Sequence, residues 1–530
     1  MKNLSRAASL AQQANEAAEA GRADDALTLW QQAVEHDPAQ AGGALDLSHR
    51  LADRGAASQA IALCERWAAA EPHSALPWIQ AGILEANHLA DSQRAIESFH
   101  RALGRAPRDH RAHAALAQLY LFALEPALMR FHATRALAGA DPASALQIRS
   151  RYLSDYAGAA AEGHAWLANH PDDVDALLAV GKALYMQREF EAARPLFERA
   201  LALAPSRVDA IGALGELRVL LGERAAGWRQ LEALANDAHL GARYPGLAPF
   251  LDRKWRGEPL AGKRIVVAYY AGIGDNLMMA RYARDLKAAG AHVTFACRPE
   301  LLRLLHDLDG ADEVSATWLI ERWDTFDYWV FDYLLPAYLG APDGAIPAYP
   351  AGYLRAPDDA RLRWAAELAP HAGALKVGLC WYSSPHNFSG IDRFIPADAL
   401  APLAQLPGID WFALQKNGAN DAPAIQAGLV TRDYTLRWRD FADTAGFIDA
   451  LDLVISIDSS PLHLAGALGK PAWGLLPAAP EWRWGLAGDR SDWYPGMRLF
   501  RQDVLHDWRA VVAQVGDALR ALLRETGRPA

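Results

Sequence analysis

The chain has 530 residues, 52% hydrophobic and 22% charged, a balance that excludes a disordered or fibrous chain and leaves room for two or three globular domains. Its formal charge of −10, with no block of Lys and Arg to reverse it locally, argues against non-specific nucleic-acid binding. Cys64, Cys297 and Cys380 lie far apart, with no CxxC, zinc spacing or disulfide framework, and no run of about 18 apolar residues occurs. The opening Met1-Lys2-Asn3-Leu4-Ser5-Arg6 leads into an Ala/Gln/Glu segment rather than a secretory core, so the expectation is a cytoplasmic protein without a transmembrane segment.

The first half repeats. Ala26 and Ala60, Pro38 and Pro72, Pro171 and Pro205, and Gly181 and Gly215 are each 34 residues apart. One pattern recurs as Ala26, Trp30, Ala33, Pro38, then as Ala95, Phe99, Ala102, Pro107, and again as Ala193, Phe197, Ala200, Pro205. Small residues let two antiparallel helices approach, the aromatic fills the gap beside them, and Pro ends the second helix. These spacings resemble the tetratricopeptide repeat. About six or seven repeats are expected across 1–240. They are clear near 7–40, 41–74, 75–109 and 172–205, degenerate between 110 and 171, and capped by 206–240. Such a stack presents a concave surface for a protein or peptide partner and carries no chemistry itself.

A linker at 241–262 leads to an apolar run at 264–270, a Gly272-Ile273-Gly274-Asp275 turn, a helix over 277–289 and a second strand at 292–296. This is the start of a βαβ unit. A dinucleotide fingerprint needs a glycine where Leu277 stands, and a P-loop needs Gly-Lys-Ser/Thr, so neither fits. Two readings of Asp275 remain: a carboxylate projecting into a ligand cleft above the strand ends, or a simple cap of the following helix.

A second α/β lobe is expected over 373–530, after a first over 263–372. Its strands are the runs 376–381, 410–416, 452–457 and 471–476, and a closing helix over 504–523 puts Val504, Trp508, Val511, Val512, Val515, Leu519 and Leu522 on one face. The run 452–457 passes directly into Asp458-Ser459-Ser460-Pro461-Leu462-His463. Pro461 suits a first helical turn and Ser460 can cap it, so free N–H groups and the positive end of a helix dipole face the turn. That is the layout of a nucleotide-diphosphate site, with Asp458 as acceptor and His463 as a switchable donor. The alternative is an ordinary helix start with a satisfied core histidine.

Residues 255–525 resemble the heptosyltransferase-like glycosyltransferase family 9, preceded as in some bacterial proteins by tetratricopeptide repeats. The segments that carry the resemblance are Trp255-x-Gly257-Glu258-Pro259-Leu260-x-Gly262, then Gly272 to Asp275 with Ala280-Arg281-Tyr282. Further on come Trp381, Arg393-Phe394-Ile395-Pro396 and Leu414-Gln415-Lys416, then 452–471, and last Trp482-Arg483-Trp484 through Trp493-Tyr494-Pro495 to Gln502. The resemblance implies a GT-B fold of two Rossmann-like lobes, acceptor on the first and nucleotide-sugar donor on the second, and inverting transfer with no cofactor and no metal. It implies Asp275 as general base, and Gly274, Trp381, Arg393, Gln415, Lys416, Asp458, Ser459, Ser460 and His463 as the donor side. With no metal motif, the helix N-terminus at Ser459, Ser460 and His463, helped by Lys416 or Arg393, would offset the leaving diphosphate. The expected acceptor is a protein hydroxyl recruited by the repeats; the alternatives are a surface glycan or lipopolysaccharide acceptor, or a non-catalytic scaffold.

Two departures from the family pattern stand out. Asn276 follows the glycine-turn aspartate where a Thr-type residue is usual, and the loop 382–393 lacks a clear phosphate lysine. Trp482, Trp484 and Trp493 suit packing better than sugar stacking. Arg483 suits a phosphate or a surface salt bridge equally, and His386 reads as a loop residue.

Overall fold

The computed structural model describes the chain except for residues 1–5, 124, 236–239, 241–244, 318–324, 341–344, 383–390, 416–428, 430–431 and 529–530. It divides into two compact units, Met1–Gly163 and His164–Ala530. Among the described residues no helix is long and apolar enough to cross a membrane.

The first unit is built of antiparallel helical hairpins. They are α1 (Arg6–Glu19) with α2 (Ala23–His36), α3 (Ala44–Asp53) with α4 (Ala57–Ala70), α5 (Leu76–His88) with α6 (Ser92–Arg105), and α7 (His110–Phe122) with α8 (Pro126–Leu137). The recurrent alanines are the close-approach points: Ala26, Ala33, Ala60, Ala95 and Ala102 have no exposed surface. A Cβ on Gly82 of α5 would stand 2.9 Å from the Phe99 ring of α6, so the glycine makes room for the aromatic. The degenerate stretch has a structural cause. There α9 (Pro142–Ile148) is short and runs into a π-helical turn, Arg149–Leu153, that ends on left-handed Ser154 before α10 (Tyr156–Leu167). Arg149 braces that turn by pairing with Asp155 and Glu162.

One buried polar pair in this unit titrates. His113 Nε2 lies 3.1 Å from the Pro107 carbonyl and so carries a proton, which leaves its Nδ1 to accept from His132 Nδ1 at 2.9 Å. Burial, reinforced by His113, His100 and Arg135, pushes His132 down to about 4.

The second unit begins with hairpins α11 (Val174–Met186) with α12 (Phe190–Leu203) and α13 (Val208–Leu220) with α14 (Arg224–Leu231). Two parallel sheets follow. The first has the order β3-β2-β1-β4, with β1 Arg264–Ala268, β2 His292–Ala296, β3 Glu313–Ser315 and β4 Tyr328–Phe331. The second has the order β6-β5-β7-β8-β9, with β5 Leu375–Cys380, β6 Ile409–Ala413, β7 Leu453–Ile457, β8 Ala472–Leu476 and β9 Met497–Arg501. Strands covered on both faces read as mainly apolar runs, as β1 and β7 do. The helices α13 and α14 share one apolar core with β1, β4 and β8, through residues such as Leu214, Trp228, Trp329 and Trp482.

Three sequence expectations shift. The helix after β1 starts at Ile273, four residues before 277, because Gly272 is extended and its N–H is capped by Asp275. Ser459, whose backbone is extended, takes the N-cap position of helix Ser460–Ala467 in place of Ser460, and its side chain makes no capping hydrogen bond. The closing helix is Trp508–Glu525; Val504 lies outside it and is 65% exposed, since Asp507 sets the N-terminus by accepting from Ala510 N.

Two stability outcomes are expected. A Cβ on Gly181 would stand 2.4 Å from the Phe197 ring, whereas one on Gly212 meets nothing within 4 Å. Gly181→Ala should therefore destabilise by about 1–2 kcal/mol through overpacking, and Gly212→Ala should stabilise by about 0.5–1 kcal/mol, in thermal denaturation of the full chain. An unfolded His binds its proton near pH 6.5, before folded His132 does, so stability falls as pH drops from about 6.5 towards 4. Scanning calorimetry should show that loss, flattened in His132→Asn.

Candidate functional site

In an open parallel sheet, ligands bind beyond the strand carboxyl ends, where neighbouring connections leave in opposite directions. In the first sheet that point lies between β1 and β4; in the second it lies between β5 and β7. The residues after β1 include Asp275, those after β4 begin with Asp332, those after β5 begin with Trp381, and those after β7 begin with Asp458. Side chains from two of these points, Asp275 and Asp458, meet in one cluster.

Arg483 is its centre. It sits in the 3-10 turn Trp482–Trp484, donates from Nη2 to Asp275 Oδ1 at 2.6 Å, and places Nη1 3.5 Å from Asp458 Oδ2. Arg393 donates from Nη1 to the Asp458 carboxylate at 3.1 Å and to its carbonyl at 3.2 Å, with Glu481 at 3.7 Å from Nη2. Burial opposes charge on Asp458, but Arg483, His463 and Arg393 outweigh it and hold its carboxyl well below the usual range. Burial also works against Arg483; Asp275, Asp458 and Glu481 overcome it and push the guanidinium further up. The arginine read from sequence as phosphate-facing or as a surface bridge is thus a buried bridge, with 10% of its side chain exposed.

His463, one turn into helix Ser460–Ala467, has both ring nitrogens engaged. Nε2 is 3.4 Å from Asp458 Oδ1 and Nδ1 is 2.9 Å from the Tyr494 hydroxyl, with the ring stacked on Trp484. Burial lowers its pKa despite the Asp458 contact. Gly274 is explained by the same ring: a Cβ there would stand 2.8 Å from His463 Cδ2, and its φ is not in the left-handed range. Ser459 Oγ pairs with Ser456 Oγ at 2.8 Å, and Ser460 opens the helix half-buried. Trp381 N donates to Gln415 Oε1 at 3.0 Å, tying the ends of β5 and β6 while the indole packs in the second sheet's core. Lys416 and His386 lie outside the described residues.

Asp275 caps the helix after β1, one of its two sequence readings, and pairs with Arg483 as well. Oδ2 accepts from Gly272 N at 3.1 Å as a helix cap, and Oδ1 faces Arg483. Asn276, the departure from the family pattern, is buried and donates to Asp332 Oδ2 at 2.8 Å, while Asp332 Oδ1 accepts from the backbone of Tyr270 and Tyr333. Burial pushes the Asp332 carboxyl up to about 7. Trp482, Trp484 and Trp493 are buried packing residues, with Trp482 edge-on to Trp228 and Tyr333.

Sequence reasoning missed a group contributed by a repeat helix. Glu216 of α13 accepts from the Tyr333 hydroxyl at 2.7 Å, and Tyr185 of α11 donates to the Pro480 carbonyl at 2.6 Å. Burial, with Glu481 adding to it, pushes the Glu216 carboxyl up to about 7. Glu216 falls within the 34-residue pattern, and nothing in that pattern separates a pocket residue from a solvated one. A cavity of about 840 Å³ lined by Arg284, Arg303, Asp307 and residues 352–358 shares no residue with the cluster. Among the described residues no group of three or more His, Cys, Asp or Glu is placed to hold a metal ion.

No protein-family model matches the chain. Protein FlbA of Caulobacter vibrioides is 28% identical over 330 residues, 57% of this chain and 53% of that protein, so the chain spans about half the length of the curated relative it matches. Among solved structures, a family 9 glycosyl transferase from Veillonella parvula is 14% identical, with 51% of this chain and 100% of that chain covered at a TM-score of 0.38. A tetratricopeptide repeat protein from Parabacteroides merdae is 11% identical, with 47% and 98% covered at a TM-score of 0.34.

The raised Glu216 carboxyl has a measurable effect. The folded chain keeps that proton to about pH 7, the unfolded chain loses it near 4.3, and stability therefore falls as pH rises between the two. Glu216→Gln, which mimics the protonated form, should raise the melting temperature by a few degrees at pH 8 and barely change it at pH 5. An equal change at both pH values would show that the carboxyl is ionised in the folded chain throughout.

Proposed function

We propose that the second unit is a nucleotide-sugar-dependent glycosyltransferase, inverting and metal-independent, that moves a sugar from a nucleoside diphosphate to a hydroxyl. Its lobes are 263–372 on the acceptor side and 373–530 on the donor side, in a GT-B arrangement. The repeats of 1–240, joined by 241–262, recruit a polypeptide acceptor. One observation carries this reading: Asp275 from the switch point of one sheet and the Arg393–Asp458–Arg483 set at the switch point of the other are in direct contact.

The chemistry follows from the groups. An acceptor hydroxyl is a poor nucleophile near pH 7, and a positioned carboxylate, Asp275, takes its proton as attack on the anomeric carbon develops. The bond from that carbon to the diphosphate breaks on the opposite face, and the electron pair leaves with the nucleoside diphosphate. Arg393, Arg483 and the N–H groups opening helix Ser460–Ala467 offset the charge, preorganised in a site with little water. Asp458, oriented by His463, fixes Arg393.

A second reading, a repeat scaffold whose α/β part binds a ligand without turnover, is favoured by one fact: both Asp275 oxygens already have partners.

The test is nucleoside diphosphate release from a panel of nucleotide-sugars, with cell extract as the source of acceptor. One donor should be consumed, and Asp275→Asn should slow its consumption by about 10²–10⁴-fold. Turnover untouched by that substitution removes Asp275 as the base. Saturable donor binding without turnover decides for the scaffold.

A further inference from the structure

Arg393 and Arg483 are both nearly enclosed, with 6% and 10% of their side chains exposed. Each also has a buried Nε–H with no hydrogen-bond partner among the described residues. A buried donor left without an acceptor costs about 1–3 kcal/mol, so two of them in one cluster mark a place for anionic oxygens. Yet the cations are already neutralised: Asp275, Asp458 and Glu481 surround two guanidiniums. A diphosphate entering this cluster meets carboxylates that hold the groups it needs, and one pairing has to open.

The geometry decides which. Arg393 grips the carboxylate and the carbonyl of a single residue, Asp458, at the end of β7. Arg483 instead spans the two sheets, with one short bond to Asp275 and a long one of 3.5 Å to Asp458. The Arg483–Asp275 bond also occupies Oδ1, the oxygen not used in capping the helix at Gly272. In that state each Asp275 oxygen already accepts one hydrogen bond, and Oδ1 lies against a guanidinium.

We propose that Arg483 exchanges partners, leaving Asp275 for the donor's diphosphate, so that donor binding itself releases Oδ1 of Asp275 to accept the acceptor's proton. The inference rests on the transferase reading and adds an order to it: the donor binds first, and the base is withheld until it does. The proton passes from the acceptor hydroxyl to Asp275 Oδ1, the new oxygen–carbon bond forms, and the nucleoside diphosphate departs paired with Arg483. Arg483 is thus both a diphosphate ligand and the group that gates the base, which guards a bound donor against attack before the diphosphate is seated.

The exchange makes a counter-intuitive demand on affinity. Removing the competitor, as in Asp275→Asn, should tighten diphosphate binding, because Arg483 no longer has to leave a charge. The test is calorimetric titration of the full chain with ADP, GDP, UDP, dTDP and inorganic pyrophosphate, in wild type, Asp275→Asn, Arg483→Gln and the double variant, each checked for folding by circular dichroism. For the diphosphate that binds, Asp275→Asn should tighten binding about three- to tenfold and Arg483→Gln should weaken it tenfold or more. In the Arg483→Gln background Asp275→Asn should then have no effect. If Arg483→Gln does not fold, Arg483→Lys replaces it, with the Asp275→Asn gain expected to shrink as the two-pronged contact is lost.

An Asp275→Asn gain of equal size in both backgrounds is a general field effect and overturns the exchange, as does an unchanged or weakened affinity in Asp275→Asn alone. Both results leave the transferase reading standing, because the diphosphate still binds. No binding of any diphosphate to folded wild type removes that reading and the exchange with it.

Discussion

A guanidinium held between carboxylates from two different sheets is the constraint on which the second unit turns. Bringing Arg483, Asp275 and Asp458 out of water costs several kcal/mol per charge, and only close pairing offsets it. The segments that follow β1 and β7 are tied to each other through this guanidinium, beside the buried indoles of Trp482 and Trp484. A second buried cation works by a different rule. Arg281 has no carboxylate partner among the described residues; it donates to the carbonyls of Met278, Pro347 and Trp493 and lies over the rings of Tyr353, Trp493 and Tyr494. Being satisfied by dipoles and π faces, it joins the helix after β1 to the segment before β9 without adding to the acidic side of the cluster.

The parts of the fold visible in the sequence are those where one local rule dominates. The runs at β1, β2, β5, β7 and β8 are mainly apolar because both faces are covered, and the matching strands lie within a residue or two of the expected bounds. The helical hairpins show through the 34-residue recurrence, because each repeat needs the same small residues at the same contacts. Three strands gave no such signal. β3 is three residues of Glu-Val-Ser with no buried member, β4 is only four residues long, and β9 mixes Arg498 and Arg501 into its run. Each is ordered by the neighbour it pairs with rather than by its own pattern.

The site was legible to the extent that it is local. Asp275, Asp458 and His463 could be named because each lies within a few residues of a strand that the sequence marks; Arg393, 13 residues beyond the end of β5, has no such marker. What could not be read was how those residues pair. Arg483 is 208 residues from Asp275, and Glu216 lies in a repeat helix more than 100 residues from Tyr333. Gly274 has the opposite lesson: it looks like part of a phosphate turn, yet its lack of a side chain is accounted for by the His463 ring packed against it.

The turn that carries Arg483 is clasped by the helical hairpins on two counts. Tyr185 of α11 holds the carbonyl of Pro480, and Trp228 of α14 stands edge-on to Trp482. Arg483 is thus three residues from one attachment and one residue from the other. A displacement of α11 or α14 reaches the Arg483 turn through these two contacts. Mechanically, the last hairpins and the Trp482–Trp484 turn form a short lever whose working end is a charge.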